Sequence, residues 1–240
     1  MSVGQTLTSI YFEPTRTFES LRARPRFLVA TIIAIVAIMA FFTLFYQRVG
    51  QEKITRAAIE TSPRTAQLTP EQREQQIQMQ SKPIVKAFGY LGPIIGIAVF
   101  FAAGAALYLL GVMLMGGKIS YKKSLSVWAY SSLPPTLIAM ALNIILLFIK
   151  SEDSYDIVQA SRGGLVQANL SFLVDPKASP AVWTILSSID VFQIYGMILA
   201  AIGLRILGKL SSGSAWGIVI TLSLIGVVLK VGASILFGAM

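Results

Sequence analysis

The stretch from Lys122 to Phe148, KKSLSVWAYSSLPPTLIAMALNIILLF, decides the fold of this 240-residue chain. It has the length and apolar character of a membrane-spanning helix, yet it carries Pro134 and Pro135 in its interior. Each proline removes a backbone donor, and within lipid the carbonyls that are freed must be covered by neighbouring helices or by Ser and Thr hydroxyls. The sequence therefore predicts a kinked helix at the centre of a helical bundle.

The composition is that of an integral membrane protein. Hydrophobic residues make up 55% of the chain and charged residues 13%, and the mean hydropathy is +0.70, a balance that ordinary soluble domains do not have. The absence of Cys and His removes thiol and Ser-His-Asp nucleophile systems and most transition-metal sites. The sequence therefore predicts a non-enzymatic protein with no cofactor and no metal.

Five long apolar runs predict an all-α, polytopic membrane protein with its five transmembrane helices in one bundle. Two polar loops, 47–86 and 150–181, separate some of these runs. In the first loop, Thr69, Pro70 and Glu71 have the character of a helix start, so a short exposed helix is expected there. The predicted spans are 27–46, 88–115, 124–149, 182–207 and 215–237 within a membrane domain of residues 27–240.

A basic leader, residues 1–26, precedes the first span. Pro14 is well placed as the first residue of a short helix that Pro25 would end. Large apolar side chains alternate in this helix with basic ones, which favours an amphipathic helix lying on the inner membrane surface. The alternative is a solvated leader that only sets the topology. Its candidate lipid or partner contacts are Arg16, Arg22, Arg24 and Arg26.

Basic residues crowd the short segments on one side of the predicted bundle, and this sets the orientation. Besides the leader arginines they are Lys118, Lys122 and Lys123 in one turn and Arg205 and Lys209 near another. The opposite loops are long and of mixed charge. We therefore expect a cytoplasmic N-terminus and an outside C-terminus. The net charge of +9 favours anionic lipid over nucleic acid at the cytoplasmic face.

Charged residues inside the spans are candidates for function. Asp190 and Lys230 lie at similar depths in the last two runs, which predicts an ion pair or a shared polar pocket near the outer leaflet. Two alternatives remain: Lys230 extends to the outer interface, or Asp190 caps a helix that starts later than drawn. The other intramembrane polar candidates are Arg205, near an inner span end, Asn143 and Gln193.

Small residues recur in the second span, and Gly92 and Gly96 have the spacing that lets membrane helices approach closely. Packing inside the same chain is favoured over a dimer face.

Four stretches carry a family resemblance: FEPTRTFESLRARP (12–25), LTPEQREQQIQMQ (68–80), GGKISYKKSLSVWAYSSLPPTLIA (116–139) and SSIDVFQIYGMILAAIGLRI (187–206). In their order and spacing the chain resembles bacterial members of the Yip family of membrane proteins, named for eukaryotic relatives that interact with Ypt/Rab GTPases. The resemblance implies a five-helix bundle with a cytoplasmic N-terminus in a bacterial plasma (inner) membrane. It brings no catalytic residues. The longer N-terminal region and the Asp-Leu-Tyr-Gly-Pro motif of eukaryotic members are absent, so the resemblance does not extend to Rab binding.

Two functions fit these observations. The first is a non-enzymatic scaffold, adaptor or membrane-organisation factor that presents its basic leader and inner turns to anionic lipid, to a protein partner or to a second copy. The alternative is a transporter, channel or lipid-handling protein that uses a polar site near Asp190 and Lys230. An enzyme is the weakest hypothesis, because an intramembrane aspartyl site needs two acids and the spans offer one.

Overall fold

The computed structural model describes residues 1–62, 65, 67–80, 82–175 and 178–237. The remaining positions of the two predicted loops, and residues 238–240 of the predicted membrane domain, lie outside the described residues. In chain order the helices are α1 (Val3–Phe12), α2 (Pro14–Ala23), α3 (Leu28–Val49), α4 (Gln51–Thr61), α5 (Pro70–Gln80), α6 (Pro83–Leu114), α7 (Tyr121–Ile149), α8 (Ile157–Gly163), α9 (Pro180–Ser187), α10 (Val191–Gly208) and α11 (Ser212–Phe237).

Within the described residues, five helical stretches are long and apolar enough to cross a membrane: Leu28–Val49, Ala87–Leu114, Tyr121–Ile149, Val191–Gly208 and Ser212–Ile235. The predicted all-α, polytopic architecture is therefore confirmed. The leader and the turns 115–120 and 209–211 lie at one end of the bundle, here called the leader side. The opposite end, here called the loop side, carries α4, α5, α8 and α9.

The central helix is α7, as its prolines predict. It packs against α3, α6 and α10, and it also contacts both leader helices. Pro134 and Pro135 are buried within a helix that continues through them, and Ser131 Oγ donates to the Trp128 carbonyl at 3.1 Å. At the proline pair α10 approaches closely, because a Cβ atom at Gly196 would lie 3.5 Å from the Ser131 carbonyl oxygen and 3.6 Å from Pro135 Cγ. A neighbouring helix thus covers one of the carbonyls that the prolines free.

The predicted fourth span, 182–207, is wrong as a single helix. The chain forms α9, leaves helical structure at 188–190, and begins α10 with Asp190 as its N-cap. The Asp190 carboxylate accepts hydrogen bonds from the amides of Phe192 at 2.8 Å and Gln193 at 3.2 Å. At ~1.5 Å per residue, the 18 residues of α10 span about 27 Å, close to the ~30 Å thickness of the hydrocarbon core, so α10 alone accounts for nearly all of the crossing.

The small residues of α6 fall into two groups. Gly104 lies directly beneath the Trp128 ring of α7, and no side chain would fit between them. Nearby, Ser124 Oγ donates to the Ala105 carbonyl at 2.5 Å. Gly92 and Gly96, by contrast, have no described neighbour within 4 Å of where a side chain would start. The expectation that this pair packs inside the same chain is therefore wrong; the glycines of α6 that do so are Gly104 and Gly111, further along the helix.

Asn143, a polar candidate of the third span, ties α7 to the second loop. Its Oδ1 accepts hydrogen bonds from the backbone amides of Leu165 and Val166, and its Nδ2 donates to the Ala139 carbonyl. Gly164, at φ +87°, turns the chain beside the amide group. Asn143 is buried and satisfied by these bonds, so the structure assigns it an architectural role.

One ion pair and one short helix organise the rest of the loop side. Lys53 of α4 donates to Glu152 of the second loop at 2.5 Å, and this hydrogen bond raises the pKa of the Lys53 ammonium. The predicted short helix of the first loop is confirmed by α5, whose Ile77 is buried. The two loops therefore pack together over this end of the bundle.

Candidate functional site

The leader folds into two helices joined at Glu13, here called the leader hairpin (residues 3–23). A capping box between Ser2 and Gln5 starts α1, and Pro14 starts α2 as predicted. The hydroxyls of Ser9 and Thr17 share a hydrogen bond of 2.6 Å across the hairpin. The sequence prediction missed α1, because its mixed Gly, Thr and Ser content has no strong helical signature.

The hairpin is packed against the membrane helices. Its side chains Ile10, Phe18 and Leu21 are completely inaccessible to solvent. Phe18 occupies a notch at Gly203 of α10, where a Cβ atom would lie 2.9 Å from Phe18 Cε1 and 2.8 Å from Val127 Cγ1. Only glycine at this position allows α2, α7 and α10 to meet this closely.

Polar contacts fix α1 in the same place. The phenol of Tyr130 on α7, itself fully buried, donates to Thr6 Oγ1 at 3.2 Å. Burial raises the pKa of the Tyr11 phenol, and the nearby Tyr195 phenol raises it further, so Tyr11 stays neutral at physiological pH. The hairpin is thus held by α7 and α10 through both apolar and polar side chains.

This arrangement corrects the prediction of an amphipathic helix lying on the membrane surface. The apolar side chains Ile10, Phe18 and Leu21 of the hairpin are covered by protein and are not available to lipid. Gly203 is the residue that makes room for the hairpin. In the sequence it is recognisable only as a small residue within a span. A pattern of hydrophobic and basic residues does not distinguish lipid from protein as the apolar partner.

The four leader arginines differ in their surroundings. Arg16 pairs with Glu13 at 2.9 Å, and both side chains are more than half exposed, so the pair contributes little to stability. Arg22 and Arg24 are exposed and belong to no ion pair within the described part of the chain. Arg26 is half-buried and close enough to Tyr130 to interact with its phenol electrostatically.

Two shallow grooves follow the exposed face of the hairpin. One of about 280 Å³ is lined by residues that include Phe12, Glu13 and Arg16. The other, of about 360 Å³, is lined by residues that include Glu19 and Arg24. Phe12 is 87% exposed at the joint between the helices. The outward face of the hairpin therefore combines unpaired cations with one large uncovered apolar side chain.

Two turns join beside the hairpin to form a second basic surface, here called the paired turns (residues 115–120 and 209–211). The Lys118 amide donates to the Gly208 carbonyl at 3.3 Å. Gly117 permits this approach, because a Cβ atom there would lie 2.7 Å from the Gly208 carbonyl oxygen and 2.6 Å from Leu210 Cδ2. The cations of the paired turns, counted together with those of the adjoining helix ends, are Lys118 and Lys209 in the turns, Lys122 and Lys123 in the first turn of α7, and Arg205 in the last turn of α10.

Asp190 and Lys230 do not form the predicted ion pair. The Asp190 carboxylate is occupied as the cap of α10, and Lys230 is exposed on α11 with no ion-pair partner in the described residues. Gln193 is half-buried and contributes its backbone amide to the cap. No group of three acidic side chains that could hold a metal ion occurs in the described ranges. Among the described residues, the exposed cations of the leader hairpin and of the paired turns are therefore the remaining candidate site.

Comparison with known proteins agrees with this architecture. The chain is similar to a membrane protein of Bacillus subtilis (strain 168), YknW, with 27% identity over 217 residues that cover 88% of this chain and 82% of the relative. No solved structure gives a significant match. The Yip1 domain matches residues 8–233, which include most of the leader hairpin and the five spans. This chain is therefore a member of the Yip1 domain family of membrane proteins.

Proposed function

We propose that this protein is a non-enzymatic scaffold or adaptor of the bacterial plasma membrane, with its leader hairpin in the cytoplasm. The observation that carries the proposal is the docked hairpin: buried Ile10, Phe18 and Leu21 hold it in one position. Arg22, and Arg24 just beyond the end of α2, are exposed and belong to no ion pair among the described residues. A surface held rigidly before binding loses little conformational entropy when a partner arrives. This is the arrangement that a docking surface requires.

The orientation rests on charge density. Short segments rich in Lys and Arg remain on the cytoplasmic side of bacterial membranes, and the leader and the paired turns are the short basic segments of this chain.

The non-enzymatic assignment rests on side-chain chemistry. With no His and no Cys in the sequence, the commonest nucleophile and general-base systems cannot be built.

The test is partner capture from native membranes. The tagged protein is extracted with its surrounding lipid, and mass spectrometry identifies the proteins that co-purify. We expect a stoichiometric partner that is lost from the variant R22Q/R24Q. A matched variant on the loop side, K53Q/R56Q, removes the same number of charges and should retain that partner.

Two outcomes would contradict the proposal. One is that no protein co-purifies in stoichiometric amount. The other is that the partner stays bound to R22Q/R24Q while thermal unfolding shows that the variant is folded.

A further inference from the structure

We propose that the paired turns bind the phosphate group of anionic phospholipids, which would anchor the leader side of the bundle to the cytoplasmic leaflet. This inference rests on the proposed function for its orientation and assigns lipid recognition to a surface separate from the leader hairpin. Its starting point is the contact between Lys118 N–H and the Gly208 carbonyl, which places Lys118 and Lys209 on adjoining segments.

The cations of the paired turns are free to bind a ligand. Four of the five, Lys118, Lys122, Arg205 and Lys209, are exposed, and Lys123 is half-buried. None belongs to an ion pair in the part of the chain that the structure describes; the ion pairs present there involve the leader hairpin and the loop side. An unpaired group of like charges is stabilised when an anion joins it.

The fold itself does not require lysine at three of these positions. Lys209 has a φ of +54° and is the described residue other than glycine whose φ is positive. Glycine or asparagine is the favoured residue in this conformation. Lys122 and Lys123 lie in the first turn of α7, which contains no acidic residue and where the helix dipole disfavours cations. The helix dipole thus disfavours the charges of Lys122 and Lys123, which a bound anion would offset, and the positive φ disfavours any side chain at position 209.

The position of the paired turns identifies the anion. They connect α6 to α7 and α10 to α11, so they lie where four membrane crossings leave the hydrocarbon core. At this depth lipid phosphates are the most concentrated anions, and basic residues beside membrane crossings bind anionic headgroups. The flexible side chains of lysine act as point charges suited to phosphate.

The test measures lipid retention by the full chain. Wild-type protein is exchanged into micelles that contain equal amounts of phosphatidylglycerol and phosphatidylcholine, and native mass spectrometry counts the lipids that remain bound. We expect preferential retention of phosphatidylglycerol, reduced roughly tenfold or more in K118Q/K122Q/K209Q. The charge-preserving variant K118R/K122R/K209R should retain the lipid. The matched leader variant R16Q/R22Q/R24Q loses three charges elsewhere and should also retain it.

Three results would overturn the inference. The first is retention by K118Q/K122Q/K209Q at the wild-type level. The second is an equal loss from the leader variant, which would indicate general charge attraction without a site. The third is displacement of the lipid by millimolar inorganic phosphate, which would identify a soluble ligand. Loss of the protein partner from R22Q/R24Q is scored separately, so failure of the proposed function is distinguishable from failure here.

A second variant separates binding from folding. Lys209→Gly removes one charge and relieves the positive φ, so the protein should unfold at the same or a higher temperature while it retains less phosphatidylglycerol. A purely structural role for Lys209 predicts the opposite, namely unchanged lipid retention.

Discussion

Gly203 is the residue on which the docked leader depends. A Cβ atom there would overlap Phe18 and Val127, and overpacking of this kind costs about 1–3 kcal/mol. We therefore expect Gly203→Val to release the hairpin while the spans remain folded. Trypsin cleavage after Arg22 should become roughly tenfold faster or more, because proteolysis follows the population of the open state.

Gly226 of α11 provides the control for Gly203→Val. It is also a glycine in a membrane helix, but no described atom lies within 4 Å of where its Cβ would be. Gly226→Val should leave the cleavage rate unchanged. Equal rates for Gly203→Val and the wild type would mean that Phe18 does not hold the hairpin in place.

Asp190 and Lys230 should behave as independent residues. Asp190→Ala removes the cap of α10 and should lower the free energy of unfolding by about 1 kcal/mol, whereas Asn can still accept the amide hydrogen bonds and should preserve most of it. Lys230→Met should have little effect, since Lys230 has no ion-pair partner among the described residues. Reversible unfolding in mixed micelles measures these values. In a double-mutant cycle with Asp190→Ala, a coupling above about 1 kcal/mol would reveal the ion pair and contradict this assignment.

At the scale of elements, α6 has two halves with different surroundings. Gly104 in its second half is covered by Trp128, whose ring also lies 4.8 Å from that of Tyr108. Gly96 in its first half faces no described atom of the chain. We expect Gly104→Val to separate α6 from α7 and to lower stability by about 1–3 kcal/mol.

The matched substitution for this prediction is Gly96→Val on the same helix. It should change the unfolding temperature of the detergent-purified monomer very little. A loss of stability as large as that of Gly104→Val would mean that another part of the chain covers Gly96.

The elements divide into those that the sequence predicts and those that it does not. Long apolar runs predicted the spans, since hydrocarbon thickness imposes helix length, and Pro134 and Pro135 correctly indicated the central helix. Apolar runs do not reveal interruptions: Ser188 and Asp190 break the fourth run although its hydropathy is continuous. The docked hairpin was missed because its contacts join residues far apart in sequence, such as Thr6 and Tyr130.

For the whole molecule, the distribution of charge sets its direction in the membrane. In the described part of the chain the short leader-side segments carry exposed and mostly unpaired cations, while some loop-side cations pair with acids, as Lys53 does with Glu152 and Arg56 with Glu74. Lysines and arginines hold short segments in the cytoplasm, whereas long loops such as those of the loop side cross the membrane largely regardless of their charge. Orientation is therefore expected to follow the leader side.

Because the sequence contains no cysteine, single cysteines can report this orientation without background. Ser120 on the leader side and Ser151 on the loop side are exposed N-cap residues whose side chains make no capping hydrogen bond. A membrane-impermeant maleimide should label Ser151→Cys in intact spheroplasts and Ser120→Cys only after permeabilisation, because the unpaired cations hold their side in the cytoplasm. The reverse pattern would place the leader hairpin and the paired turns outside, where neither a cytoplasmic partner nor the lipids of the inner leaflet could reach them.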